Sequence, residues 1–391
     1  MNKSILHTDI QQYINNNLIA DISKILFKGT LFSDVSAQEI VVQIEAKKKC
    51  KTKLPTWFDT KNIYYPPKLS IEQTSSEITA NYKATLIVGN SLVDITGGFG
   101  VDAFAFSKKT QNVIHCEIHT ELSKIVSHNY QQLQVKNIKT VASDGLDFLK
   151  NTTKQFDWIY VDPSRRNDAK GKVFLLKDCL PNVPENIDFL FEKSDNILLK
   201  NSPILDITSA INELKFVKEI HIIAVQNEVK ELLFILEKNY TNFIQTKTIN
   251  IQRNNTQIFD FELNTVTKPT FSLPKKYLYE PNSAILKSGG FNQVSEQFKI
   301  DKLHQHSHLY TSDDLINFPG RKFEIKHRIS FDKKQLKKLI PTQKANITTR
   351  NFPQTVAQIR KKTKLKDGGN HYLFFTTNIN EKHIILICEK V

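Results

Sequence analysis

The chain has 391 residues, 40% of them hydrophobic and 24% charged, a globular composition with apolar material for two or three domains. Four scattered cysteines, Cys50, Cys116, Cys179 and Cys388, form no CxxC pair, which argues for buried thiols over a disulfide framework or zinc site. No apolar run approaches the ~18 residues of a membrane span, and the first 30 residues hold no signal-peptide core, so a soluble cytoplasmic protein with no membrane partner is expected.

Residues 1–64 read as a helical segment. Thr8-Asp9 opens one periodic run, and Ser36-x-x-Glu39 is a capping box ahead of Ile40-Val41-Val42-Gln43-Ile44. The basic run 47–53 reads as a solvated helix end. Pro55, Pro66 and Pro67 mark an extended aromatic segment, and a further helix is predicted after Ser70, through Ala80. Next comes Val93-Asp94-Ile95-Thr96-Gly97-Gly98-Phe99-Gly100-Val101-Asp102, a strand, a tight turn and a helix start. Its glycines carry no Cβ to hold a ligand off the backbone, and they tolerate φ > 0. Gly98-x-Gly100-x-x-Ala103 also fits the dinucleotide fingerprint.

From there strand-like runs (93–95, 113–117, 140–143, 158–161, 197–200, 219–225) alternate with helical patterns such as 120–133 and 228–238. Repeated βα units predict a parallel sheet with helices on both faces. A last strand, 257–263, has no helix before it and is expected to insert antiparallel. Beyond Thr267-Lys268-Pro269 the pattern becomes one of small α+β modules, with a Lys-rich helix at 330–339, a second helix at 358–366 and two closing strands at 372–376 and 383–388. His304, His306 and His308 alternate as they would along one face of a strand, towards solvent. They lack the carboxylate or Cys support of a metal site, and no metal is expected.

The net charge is +14, and residues 268–391 alone hold 23 Lys/Arg against 10 Asp/Glu. Residues 1–267 share the lysine-rich composition yet are nearly neutral, so compositional bias does not explain the asymmetry. A polyanion partner, most often nucleic acid, does. Four marks recur at successive strand ends, where open α/β sheets bind ligands. Asp94 opens the glycine turn. Glu117 follows the second strand, where a carboxylate can accept both ribose hydroxyls. Asp144 follows the third strand, where it can meet an adenine edge, and Asp162-Pro163-Ser164-Arg165-Arg166 ends the fourth.

On these residues, 91–265 resemble the class I S-adenosylmethionine-dependent methyltransferases. The resemblance implies a Rossmann-like α/β core of seven strands. It also implies that Asp94, Gly97, Gly98 and Gly100 hold the methionine part of S-adenosyl-L-methionine, with Asp94 on its amino group. Glu117 would then hold the ribose and Asp144 the adenine, with Asp162, Pro163, Ser164 and Arg165 lining the acceptor. The run Gln73-Thr74-Ser75-Ser76-Glu77-Ile78-Thr79-Ala80 looks like the helix before the cofactor site in several RNA methyltransferases, which places Gln73 and Ser75 at the cofactor. Arg350-Asn351-Phe352-Pro353 and Lys364-Leu365-Lys366-Asp367-Gly368-Gly369 resemble a THUMP-like domain attached to bacterial methyltransferases. The expected organisation is a helical segment (1–64), a methyltransferase domain (65–267), a small ferredoxin-like module (268–325) and a basic THUMP-like domain (326–391).

Asp162 and the Pro163 carbonyl could accept the hydrogens of a base amine. Arg165 stands where an aromatic is usual; an arginine there could stack on a base, clamp a phosphate or tie down a helix end. Uracil-C5 methyltransferases carry a similar Asp-Pro-Pro-Arg but need a cysteine after the fifth strand, where this chain reads Lys200-Asn201-Ser202-Pro203, with Cys179 away in the preceding crossover. Lys200 could support ribose 2′-O transfer, although the companion Asp-Lys-Glu set is not evident in the sequence. Direct transfer to a base nitrogen of tRNA or rRNA is the expected reaction. The rivals are a non-catalytic RNA-binding protein with a methyltransferase-like core and an NAD-dependent oxidoreductase. A missing second glycine turn and the basic C-terminal third oppose the latter.

Overall fold

Short Val/Ile/Leu runs become the strands of a parallel sheet that ends on the acid-bearing turns. In the computed structural model, which describes residues 1–29, 32–165 and 175–391, these are β1 (Ser91–Asp94), β2 (Asn112–Cys116), β3 (Ile138–Val141), β4 (Trp158–Val161) and β5 (Asn196–Asn201). They lie parallel in the order β3-β2-β1-β4-β5. β4 is buried along its whole length, as expected of a strand covered on both faces. Helices Val101–Ser107, Thr120–Gln132, Gly145–Lys150 and Val183–Lys193 alternate with these strands in a doubly wound α/β arrangement.

The chain divides into two compact units, Met1–Lys218 with Glu231–Asn242, and Glu219–Lys230 with Phe243–Val391. In the first, the antiparallel strand is not the one the sequence points to. Residues 228–238, which read as helical, form β7 (Glu228–Glu237), following β6 (Val217–Val225), and β7 runs antiparallel to β5 with Lys200 opposite Leu233. Leu232-Leu233-Phe234-Ile235-Leu236 is a continuous buried run, whose periodicity cannot tell a core strand from a core helix. The deciding signal is the two-residue turn Gln226-Asn227, with both residues at positive φ (52° and 64°) as a tight hairpin turn demands.

Before the sheet, Ser36 and Glu39 form the expected capping box on the helix Ala37–Lys53. Its basic end is not simply solvated. Lys47 is buried and its ammonium lies 5.6 Å from the Phe58 ring centre, while Lys53 donates to the Glu72 carbonyl at 2.7 Å. Pro55 opens a helical turn, Pro55–Asp59, that buries Trp57. The helix predicted from Ser70 to Ala80 is two, Lys68–Gln73 and Glu77–Thr85, broken where Ser76 caps the second through the Thr79 N–H.

In the second unit, β8 (Gln245–Ile251) pairs parallel with β6, and β9 (Thr256–Glu262) returns antiparallel to β8. The predicted last strand is therefore β9, antiparallel as expected, beside β8 and not inserted within the parallel sheet. The basic region forms a second sheet from β10 (Tyr277–Pro281), β11 (Tyr310–Ser312), β12 (Gly320–Ile329), β13 (Asn346–Arg350), β14 (His371–Thr377) and β15 (His383–Lys390), in the order β11-β10-β12-β15-β14-β13 with the short strand Asp301–Lys302 outside β11. Helices Lys333–Leu339 and Val356–Thr363 bury Leu336 and Ile359 in a cluster with Leu373, Phe375 and Ile385. The two C-terminal motifs hold this unit together. Arg350 and Arg321 both pair with buried Glu280, Phe352 packs edge-on against Phe375, and Arg360 pairs with Asp367.

The three histidines lie in the turn after Lys302 and not along a strand. His304 is buried: its Nδ1 accepts from the His306 N–H at 3.0 Å, and its Nε2 lies 2.8 Å from Glu381. Among the described residues no helix is long and apolar enough to cross a membrane.

Candidate active site

Because β1 to β4 are parallel, Asp94, Glu117, Asp144 and Asp162 all follow strand ends on one edge of the first unit's sheet. The glycine turn is the hub that ties them. Asp94 is buried and accepts from the Thr96 N–H at 2.9 Å. The Thr96 hydroxyl accepts the Asp162 N–H at 2.7 Å, the Gly98 N–H donates to Glu117 Oε2 at 2.8 Å, and the Gly97 N–H donates to the Cys116 carbonyl at 2.8 Å. Gly145, beside Asp144, packs so closely on the turn that a Cβ there would lie 2.2 Å from the Ile95 carbonyl. Asp144 itself caps its helix through the N–H groups of Leu146 and Asp147.

The three turn glycines have different reasons to be glycine. A Cβ on Gly97 would meet His115 Nε2 at 2.3 Å, and one on Gly100 (φ +78°) would meet Tyr130 Oη at 2.2 Å. These two let the turn close on the protein itself. Gly98, with φ +56°, has nothing nearer to a Cβ than the Thr96 carbonyl at 3.9 Å, so it is the one that leaves space. Glu117 also accepts from the His119 N–H at 2.7 Å, which fixes the carboxylate while leaving acceptor capacity on both oxygens. Burial, reinforced by the charges of Asp102 and Asp162, raises the Asp94 carboxyl well above the usual range. A buried acid, a fixed carboxylate and an uncovered glycine fit a cofactor that carries an ammonium and a ribose.

Behind this edge lies a charge network that sequence reasoning missed. Lys83, fully buried, donates to Glu231 Oε2 at 2.5 Å and to Ser75 Oγ at 2.8 Å, and pairs with Asp102 Oδ1 at 3.0 Å. Ser75 and Tyr160 both donate to Asp102 Oδ2 at 2.8 Å. Burial opposes charge on Asp102, but Lys83 and Lys200 overrule it and hold its carboxyl below the ordinary range. Ser75, expected at the cofactor, thus belongs to this network, and Gln73 is exposed at the end of its helix. Only Asp102 carried a visible signal, an acid just inside the glycine turn.

At the end of β5, Lys200 donates to Asp162 Oδ2 at 2.5 Å, and the Asp162 side chain is 32% exposed. Desolvation works against the Lys200 charge, yet Asp162, Glu231 and Asp102 raise it above its usual value. Pro163 is buried and Ser164 exposed. The backbone of Ser164–Arg165 pairs with Cys179–Leu180, setting Cys179 opposite Arg165. A cysteine therefore does lie beside the Asp-Pro-Ser-Arg motif, contrary to expectation, because Cys179–Leu180 pair with its last two residues. Its thiol is fully buried and donates to the Leu175 carbonyl. Arg166 and the Arg165 side chain lie outside the described residues. No group of three or more metal-ligating side chains occurs among those described.

Three family descriptions match the chain: conserved hypothetical protein 95 over residues 66–219, a ferredoxin-like domain over 277–319 and a THUMP domain-like family over 320–390. Among solved structures it is similar to a "putative methyltransferase" from Porphyromonas gingivalis W83, at 32% identity over 100% of this chain and 98% of that one, with a TM-score of 0.88. More distant is M. capricolum TrmK in complex with S-adenosyl-homocysteine (18% identity, 41% of this chain and 68% of that one, TM-score 0.31). So is the M. jannaschii tRNA m1G37 methyltransferase (14% identity, 43% and 51%, TM-score 0.30). No curated protein matches.

Proposed function

From the premise that this chain belongs to the class I methyltransferase family of the Porphyromonas gingivalis protein, with ferredoxin-like and THUMP-like domains after the core, we propose that it is an S-adenosylmethionine-dependent methyltransferase acting on a base nitrogen in structured RNA, tRNA or rRNA. The observation that carries this reading is the single sheet edge on which Asp94, Glu117, Asp144 and Asp162 stand, with Gly98 the uncovered one of the three turn glycines. S-adenosylmethionine supplies an electrophilic methyl group on a sulfonium sulfur. Asp94 would hold its amino group, Glu117 the ribose hydroxyls and Asp144 the adenine edge. Asp162 and the Pro163 carbonyl would accept the hydrogens of the acceptor amine and orient it for in-line attack, from which much of the rate comes. Burial raises the Asp162 carboxyl even beside Lys200, and in this reading its carboxylate would take up the proton the nitrogen loses. The basic C-terminal third, 23 Lys/Arg against 10 Asp/Glu, supports RNA as the partner.

A ribose hydroxyl is the second reading. The companions of Lys200 that the sequence did not show are present in space: Asp162 at 2.5 Å, and Glu231, Asp102 and Lys83 in the network behind it. Incubation with isotopically labelled S-adenosylmethionine and RNA, then nucleoside mass spectrometry, separates the two: a base-methylated nucleoside supports nitrogen transfer, and a 2′-O-methyl nucleoside replaces it with the ribose reading. Calorimetric titration with S-adenosylmethionine tests the class itself. Absence of binding would return the non-catalytic RNA-binding reading, and binding of NAD in its place the oxidoreductase.

A further inference from the structure

The second unit holds a cavity of about 740 Å³, walled by the end of β9, the residues that follow it, the start of the helix Phe291–Phe298 and the turn from Lys302 to His308. No carboxylate is among the residues that line it. Lys302 is, and the residue is only 2% exposed. The ammonium donates to Asn292 Oδ1 at 2.9 Å and lies 5.7 Å from the Phe271 ring centre. Neither contact carries a formal negative charge, and no carboxylate pairs with Lys302 among the described residues. An ammonium buried without a counter-charge is strongly unfavourable, and burial alone holds Lys302 below its ordinary range.

A second unsatisfied group lines the same cavity. His308 stacks on Phe291, with ring centres 3.5 Å apart and planes 18° apart, and its Nδ1 is buried with no hydrogen-bond partner among the described residues. Burial, then the charges of Lys302, Arg350 and His306, push His308 down to about 4, so the imidazole is neutral near pH 7. The neutral imidazole can still donate through an Nδ1–H. A cavity of this size is in the range of small-molecule sites and larger than a lone phosphate requires.

We propose that this cavity binds the phosphate group of a nucleotide, with the Lys302 ammonium and His308 Nδ1 as donors and the aromatic wall beside the nucleoside. The phosphate supplies the charge that Lys302 lacks. Assigning the nucleotide to an RNA chain rests on the RNA reading above; the phosphate site itself does not.

The test uses the full-length protein with three probes: inorganic phosphate, 5′-AMP and a fluorescein-labelled ten-nucleotide oligoadenylate. Two variants accompany it. Lys302→Met keeps the buried stem and removes the charge, and Asn292→Asp places a fixed carboxylate where the ligand's charge would act. Without ligand, both are expected to melt higher than the wild type. Both should bind 5′-AMP and the oligonucleotide at least tenfold more weakly, with S-adenosylmethionine affinity unchanged. An oligonucleotide that binds more tightly than 5′-AMP supports the site with RNA as its source, and the reverse order supports it with a free nucleotide. Wild type that binds no probe, or a Lys302→Met variant that binds all probes as wild type does, overturns the site. A Lys302→Met variant that melts lower while keeping its affinity shows a purely structural lysine and also overturns it. Failure of the wild type to bind S-adenosylmethionine sinks the methyltransferase reading and leaves the phosphate arms legible.

Discussion

Asp94 stands at the end of β1 almost without solvent, beside two other acids, and its carboxyl is raised well above the usual range chiefly by burial. An ammonium placed against it reverses that balance and favours the anion. Binding of S-adenosylmethionine is therefore expected to release a proton, and affinity to rise as pH rises through the Asp94 titration. Calorimetry in buffers of different ionisation enthalpy reads the proton count. Asp94→Asn should abolish the release and cost about 1.5–3 kcal/mol of cofactor binding, the range for hydrogen bonds to charged groups, without unfolding the sheet; normal binding by the variant would dismiss the role. Lys83 makes the opposite kind of contribution. Lys83→Met leaves Asp102 and Glu231 without their shared cation, at a cost of roughly 3–5 kcal/mol. Urea denaturation should show this loss, and Glu231→Leu added to it should recover part of it.

At the scale of elements, the glycine turn separates a folding requirement from a ligand requirement. Gly100→Ala forces a Cβ to 2.2 Å from the Tyr130 hydroxyl at φ +78°, so it should lower the melting temperature. Gly98→Ala meets open space and pays only for its positive φ, about 1 kcal/mol. It should stay folded and lose cofactor affinity by crowding the ligand. If Gly98→Ala binds S-adenosylmethionine as the wild type does, the turn does not face the cofactor. The strand-turn pieces were legible because each is a local statement: an apolar run, an acid, and glycines where the backbone needs them. β7 was not, since Leu232-Leu233-Phe234-Ile235-Leu236 is apolar in either period, and only the positive-φ turn at Gln226-Asn227 tells strand from helix.

For the whole molecule, the charge asymmetry becomes a surface. Lys333, Lys334, Lys337 and Lys338 are all exposed on a helix whose inner face buries Leu336. Replacing these four by Gln should weaken RNA binding and reduce the log–log salt slope by up to about 3.6, at roughly 0.7–0.9 for each phosphate no longer neutralised. An unchanged slope would assign RNA binding to another surface. Truncation at residue 267 is a poor substitute for this test. Phe259 and Phe261 share a buried cluster with Tyr279, Ile285 and Val294, so the cut would open a core within the second unit.

The sequence by itself determined the order of the acid-bearing turns, the glycine hub between them and the basic C-terminal third, because strand ends, turns and charge are written in consecutive residues. Tertiary structure alone decided that Lys83 would meet Glu231, 148 positions away, over Asp102 and Tyr160. It also decided that Cys179 would pair beside Arg165 and that Lys302 would be buried without a carboxylate partner among the described residues. Those outcomes depend on strand register and on which side chains are shut off from water, and neither is written in any one stretch of the chain.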